Sequence, residues 1–355
     1  MMLIIAHHLV VNSGLIDEFR ERPDGSLSMY TMILFGAWGK TGIDCFVFIT
    51  GYFMCRASIS LKKFLKLYLQ MVFYGLVLGA LFLLNGSIPL TMVSLYKYAH
   101  SFLPVYGLEQ NFGGCFLVFW LCIPFLNALV HNISKRMHRW LVGLLLFFYT
   151  FMPLTPFYGV SLNYVEWFAI LFIIASYVRM YEDDFGDISH RMWGILTLAS
   201  IALASFSIVA YTWRYTSGST EWFNPYRFVS DSNMVLAMAV AFSSFMWFKG
   251  LTLRYSSIIN LLGGATFGVL LIHANSDAMR KWLWRDTVDV TGHFHSLAAS
   301  EMLGYSILAV VTIFFVCAFI DILRQRFVEK ALNPRIEEWL LNRWQSIGRK
   351  QVSIS

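Results

Sequence analysis

Uninterrupted apolar runs of about 18 to 22 residues recur along the whole chain, each close to the ~20 residues an α-helix needs to cross ~30 Å of hydrocarbon. A backbone in hydrocarbon has no water to bind, so it must satisfy its own N–H and C=O groups, and long apolar runs therefore mean helices. The alternating segments of about ten residues that build a lipid-embedded barrel are absent. Composition agrees: 57% of the residues are hydrophobic and 14% charged, against roughly a quarter charged in soluble domains. The expected fold is all-α, a polytopic membrane helix bundle with about ten transmembrane helices.

The apolar spans fall at 1–11, 33–54, 66–84, 112–130, 140–158, 162–179, 192–212, 233–248, 256–274 and 303–323. An even number of crossings puts both termini on one side. With the N-terminus inside, the inner segments hold 18 of the 27 Lys and Arg residues, among them Arg56, Lys62, Lys63, Lys66, Lys135, Arg139, Arg179 and Lys249. The excess of basic residues in inner loops thus predicts cytoplasmic termini. The same placement accounts for the net charge of +6 without a nucleic-acid partner, because the basic residues lie between apolar runs and form no soluble patch. All five cysteines lie in apolar runs, where a thiol behaves as a small hydrophobe and no disulfide is expected. Met1 to Val11 lacks a basic start and a small-residue cleavage site, so no cleavable signal peptide is expected.

Two units are expected: a transmembrane domain over 1–323 and a cytoplasmic tail over 324–355. In the tail Ile336, Trp339, Leu340, Trp344 and Ile347 recur at helical spacing among basic residues, the pattern of an amphipathic helix lying on the membrane surface.

Function is carried by the polar residues inside these spans, since ionisable groups in a bilayer are costly and usually face an interior cavity. His7 and His8 in the first span point about 100° apart, so one of them at most is expected to face a given site. Such a histidine either bonds a neighbouring helix or serves as a general base near neutral pH. In the second span Lys40 and Asp44 stand four apart on one face, where they can neutralise each other. Asp44 is alternatively a partner that orients an imidazole. Threaded by the orientation above, His8, Lys40, Glu166 and His273 fall in the outer half of the membrane with Asp44 near the middle, which predicts one shared cavity.

Weaker signals accompany these. Gly264 and Gly268 have the spacing of close helix packing. His293 and His295 lack a third ligand at suitable spacing, and no metal site is expected. The basic cluster Arg56, Lys62, Lys63 and Lys66 is a topology signal that also suits donor phosphates.

Three stretches together resemble the acyltransferase 3 family of polytopic bacterial membrane proteins that acylate cell-surface carbohydrates. They are the apolar start ending in His7-His8, the run from Gly42 to Phe53 (Gly-Ile-Asp-Cys-Phe-Val-Phe-Ile-Thr-Gly-Tyr-Phe), and Thr266-Phe267-Gly268-Val269-Leu270-Leu271-Ile272-His273. The likeness covers nearly the whole chain. It implies transfer of an acyl group, most often acetyl, from cytoplasmic acyl-CoA to a hydroxyl of an extracytoplasmic glycan, with no bound cofactor. His8 would be the base, Asp44 its orienting partner and His273 a further acid-base or acceptor-binding group. Lys40 and Glu166 would bind acceptor, and Arg56, Lys62, Lys63 and Lys66 the donor. The implied setting is the bacterial cell membrane, with the bilayer, acyl-CoA and a surface carbohydrate as partners.

The family's arginine eleven positions before that histidine would precede Met1, and eleven residues span only ~16 Å. Either the start is misassigned, in which case about ten further residues, mostly apolar, are expected upstream, or the chain is an inactive relative that serves as a structural partner. The family's serine is Thr50 here, and its basic-loop arginines are lysines, which bind phosphate as point charges without a bidentate fork. A competing reading is a transporter or lipid-linked sugar flippase, since Lys40, Asp44 and Glu166 suit a substrate path as well, although no repeat symmetry is visible.

The orientation is testable: a reporter fused after Lys350 should read cytoplasmic and a tag between 277 and 300 external, and an external C-terminus would reverse the depth assignment.

Overall fold

Each of the ten apolar stretches contains a helix in the computed structural model, which describes residues 1–103, 112–155, 162–218, 223–330, 334–335 and 338–339. In chain order the α-helices are α1 (Met2–Val11), α2 (Leu15–Glu21), α3 (Leu27–Gly36), α4 (Gly39–Met54), α5 (Leu61–Leu84), α6 (Met92–Ala99), α7 (Phe112–Asn132) and α8 (Lys135–Leu146). There follow α9 (Tyr164–Met180), α10 (His190–Thr216), α11 (Val235–Lys249), α12 (Ser257–His273), α13 (Asp277–Lys281), α14 (Val290–Ser296) and α15 (Ala299–Leu323). No strand occurs among the described residues. Six segments are long and apolar enough to cross a membrane, and eight if each sharply bent helix pair counts as one. The chain is a multi-pass, all-α membrane bundle.

Short polar residues set the helix starts. The side chains of Ser26, Ser60, Ser134, Asn163, Ser189 and Ser256 accept hydrogen bonds from backbone N–H groups in the first turns of α3, α5, α8, α9, α10 and α12. Those donors have no partner inside the helix, so the caps satisfy them where the chain enters the apolar region.

Three spans differ from the sequence expectation. The first does not end at Val11: Asn12 to Gly14, with Gly14 at φ 101°, bends the chain by 45° into α2, whose Leu15 and Phe19 are buried. The second starts at Leu27, because α3 and α4 are interrupted only at Ala37 and Trp38. After α12 the chain bends by 94° into the segment Asp277–Ser296. At the far end the helix runs on past Leu323 through a π-helical stretch, Arg324–Glu329, which carries the buried Arg324. Most of the expected amphipathic tail, including Ile336, Leu340, Trp344 and Ile347, lies outside the described residues.

Two apolar cores organise the bundle. One joins α1, α3, α12 and α15 through Ile5, Leu9, Met32, Ile272 and Phe314, and the other joins α4, α7, α9 and α11 through Phe48, Phe119, Trp167, Phe172 and Phe245. α9 is the most enclosed helix, buried almost continuously from Trp167 to Val178. α5, α8 and α10 turn most of their surface outward, as helices bordering lipid do. α4 holds the cores together, since it packs on α1, α9 and α11.

Close approach matters at two crossings. A Cβ at Gly39 would lie 2.4 Å from His7 Cγ, so α1 and α4 can cross there only over glycine. A Cβ at Gly268 would lie 2.1 Å from Asp321 Cγ, whereas one at Gly264 would meet nothing within 4 Å. Of the expected pair, Gly268 alone is the contact. Asp321, fully buried on α15 against Gly268, accepts hydrogen bonds from Tyr74 (2.8 Å), Gln70 (3.2 Å) and Arg324 (2.8 Å), which tie α5 to α15 and to the π-helical stretch after it.

Gly268→Val should therefore destabilise the protein by about 1 to 3 kcal/mol, the usual range for overpacking. Gly264→Val should shift it by under about 0.5 kcal/mol. Thermal unfolding in detergent reads both, and equal effects would refute the asymmetry.

Candidate active site

α1 and α4 cross where each carries polar residues, and α9 and α12 present their ends to the same place. His7, His8, Gly39, Lys40 and Tyr164 line a cavity of ≈ 230 Å³ closed by Ile4, Ile43 and Phe112. His7 and His8 thus share one cavity, contrary to the expectation that only one would face it. The cavity runs along a broad face of α1, with Ile4 between the two histidines in rotation, so side chains about 100° apart both reach it, and their ring centroids are 6.0 Å apart.

The hydrogen bonds assign the tautomers. His273, fully buried, has Nδ1 2.6 Å from the Val269 carbonyl oxygen, which only accepts, so Nδ1–H is the donor and Nε2 keeps its lone pair. His8 Nδ1 stands 3.1 Å from that Nε2 and therefore donates to it. Neutral His8 is then left with its lone pair on Nε2. His7 is set in the same way, because its Nδ1–H donates to the Gly36 carbonyl oxygen at 2.6 Å. Two neutral imidazoles, each with an acceptor Nε2, stand at one cavity.

Lys40 does not pair with Asp44. Its Nζ donates to the Tyr164 hydroxyl at 2.7 Å and pairs with Asp231 at 3.3 Å, leaving one of its three N–H donors without a partner among the described residues. Asp231 comes from the connector before α11, which folds inward with Ser232 and Asn233 buried. Asn233 donates to the Tyr149 carbonyl at 2.7 Å and so holds that connector in place. Asp44, one turn further along the same face of α4, is fully buried, and Trp167 Nε1–H donates to its Oδ1 at 2.9 Å. His8 is hydrogen-bonded to His273 and not to Asp44, which, like Lys40, joins α4 to α9. Glu166 is exposed, within 3.4 Å of the Tyr149 hydroxyl, and takes no part in the cavity.

The basic residues gather at the opposite end of the bundle, ~24 Å away along α4 from Lys40 to Arg56. Arg56 donates to the Arg179 carbonyl at 3.3 Å, and Lys66 pairs with Glu329 at 2.5 Å. Lys62 and Lys63 are exposed at the start of α5. A further group was missed by the sequence reading: Lys135, Arg139 and Tyr177 all engage Asp184. The Lys135 ammonium, followed by Tyr177 and Arg139, holds this carboxyl down to about 2. His293 stacks on Tyr305 and His295 pairs with Glu18 at 2.7 Å, so the two share no ligand.

The fold defines a multi-pass membrane protein, with two histidines, a lysine and a tyrosine lining one cavity between its helices. Residues 1–321 match the model of the acyltransferase 3 family, described as an acyltransferase domain, and the chain belongs to that family. It is a membrane acyltransferase, and the enzyme reading displaces the transporter one. No curated protein and no solved structure matches the chain.

The tautomer assignment has a direct readout. In ¹⁵N-histidine spectra at neutral pH, His8 should be protonated on Nδ1 and bare on Nε2 in the wild type, and should lose that preference in His273→Ala. An unchanged His8 tautomer would remove His273 as its orienting group.

Proposed function

We propose that the protein transfers an acyl group, acetyl in the first instance, from cytoplasmic acyl-CoA to a hydroxyl of an extracytoplasmic glycan, with His8 as general base. The observation that carries this reading is the chain His8 Nδ1–H to His273 Nε2, and His273 Nδ1–H to the Val269 carbonyl, which keeps a lone pair on His8 Nε2. An imidazole nitrogen with a free lone pair can take the proton of an attacking hydroxyl.

The acceptor hydroxyl gives its proton to His8 Nε2 as its oxygen bonds to the thioester carbonyl carbon. The carbon–sulfur bond then breaks, and the imidazolium returns the proton to the departing thiolate. Negative charge develops on the carbonyl oxygen in between. The remaining Lys40 donor, fixed by Tyr164 and Asp231, suits that oxygen, because a positioned cation in a water-poor cavity stabilises charge without reorganising. His7, on the same cavity, suits the acceptor hydroxyls.

Cavity size supports a small acyl group. At ≈ 230 Å³ the space falls below the ~300 Å³ at which pockets begin to enclose whole drug-sized ligands, so it receives the reacting ends alone. The glycan acceptor and acyl-CoA donor rest on the family's chemistry and on the polarity of the bundle, with cations at one end and the cavity at the other.

His8→Ala should lower acyl transfer by roughly 10² to 10⁴ while the protein stays inserted and abundant, the usual effect of losing a positioned acid-base group. His7→Ala should be milder. Purified enzyme given acetyl-CoA and acceptor should release free CoA. Glycans acylated equally by wild type and His8→Ala would remove His8 from the mechanism, and failure to consume any acyl-CoA would refute the donor.

A further inference from the structure

A second, larger recess lies on the other side of the α1–α4 crossing. It is a groove of ≈ 940 Å³ between α4 and α11, with Leu3 and Trp38 at one end and Arg179 and Lys249 at the other. Its floor on α4 is formed by Thr41, Cys45, Ile49 and Phe53, four residues apart in turn and hence on one helix face. Phe245 and Phe248 of α11 stand opposite. Several lining residues are open to the surroundings: Ile49 is 50% exposed, Phe53 65% and Phe248 62%. An apolar groove with such walls opens sideways to hydrocarbon, not to water.

Length and charge identify what fits it. From Thr41 to Phe53 the groove runs ~18 Å, close to the ~15 Å depth of one leaflet's hydrocarbon. The polar terminus holds an excess of cations. Arg179 and Lys249 share a single carboxylate, Glu182, at 3.1 and 3.7 Å, and both lie against the Tyr52 ring, 4.7 and 5.7 Å from its centroid. Arg179 uses only Nη1, toward Tyr52 and Glu182, so among the described residues its Nε and Nη2 donors remain for an anion. This is the end of the bundle that also carries Arg56, Lys135 and Arg139.

We propose that this groove seats one acyl chain of an anionic phospholipid, whose phosphate rests between Arg179 and Lys249. A guanidinium with free donors beside an ammonium suits a phosphate, and the apolar walls take the chain that hangs from it. The amide-bearing arm of a thioester donor is disfavoured there, because amides facing hydrocarbon without partners cost several kcal/mol each. The inference does not depend on the acyl-transfer reading, since it concerns a separate recess and is read by binding alone.

The test is native mass spectrometry of the full-length protein in mild detergent, titrated with dioleoyl phosphatidylglycerol or dioleoyl phosphatidylcholine. One phosphatidylglycerol should be retained, at least tenfold more tightly than phosphatidylcholine. The double variant Arg179→Gln/Lys249→Gln should lose that advantage, and Lys63→Gln should keep it. Ser244→Trp, which fills the groove without changing charge, should reduce retention of both lipids, and monodisperse elution certifies its fold. Equal retention of the two lipids by the wild type, or phosphatidylglycerol retention unchanged in both groove variants, would overturn the proposal. So would coenzyme A binding through the same two cations and displacing the lipid.

Discussion

A polar group inside a bilayer has no water to fall back on, so each one must find a partner on another segment, and those partnerships set the architecture of this protein. His273 is held by its own helix and accepts from His8 on α1; Lys40 of α4 reaches Tyr164 of α9 and Asp231 of a connector; Asp44 accepts from Trp167. Asp321 gathers donors from α5 and from the far end of α15. Apolar packing alone would leave the helices free to slide, because lipid is as apolar as leucine. The buried polar contacts specify which helix faces which.

The geometry of the candidate site follows from one crossing. α1 comes within reach of α4 because Gly39 offers no side chain to His7, and Gly36 admits Val10 in the same way. That approach carries two imidazoles to the lysine at the start of α4. Any side chain at Gly39 would push α1 away and separate His7 and His8 from Lys40.

The helical class and the location of the spans were legible in the sequence, because hydropathy over twenty residues reports the solvent of a helix. So was the membership of His8, His273 and Lys40 in one region, since depth can be read by counting along spans. Partner choice was not legible. Lys40 and Asp44 stand four apart on one face, yet each turns to its own partner on α9, Tyr164 for one and Trp167 three residues on for the other, while Asp231 pairs with the lysine. Glu166 has the right depth and faces away, because depth says nothing about rotation around a helix axis. Asp231 could not be placed by hydropathy, as it belongs to a connector that folds inward only because Ser232 and Asn233 find buried partners. The one readable sign was the cluster Ser230-Asp231-Ser232-Asn233 directly before an apolar helix.

The separation of charge along α4 constrains the reaction further. Lys40 and Arg56 mark ends ~24 Å apart, with Val47, Phe48 and Gly51 packed between them. A donor whose phosphates stay at the basic end must therefore send a long, thin arm to His8, and a space of ≈ 230 Å³ admits only the tip of that arm with one acceptor hydroxyl. Under the proposed reaction, bulk is thereby excluded from both substrates at the reacting centre. The small cavity thus selects a slender donor tip and a single acceptor hydroxyl. It depends on Phe112, Ile4 and Ile43 as much as on the histidines they enclose.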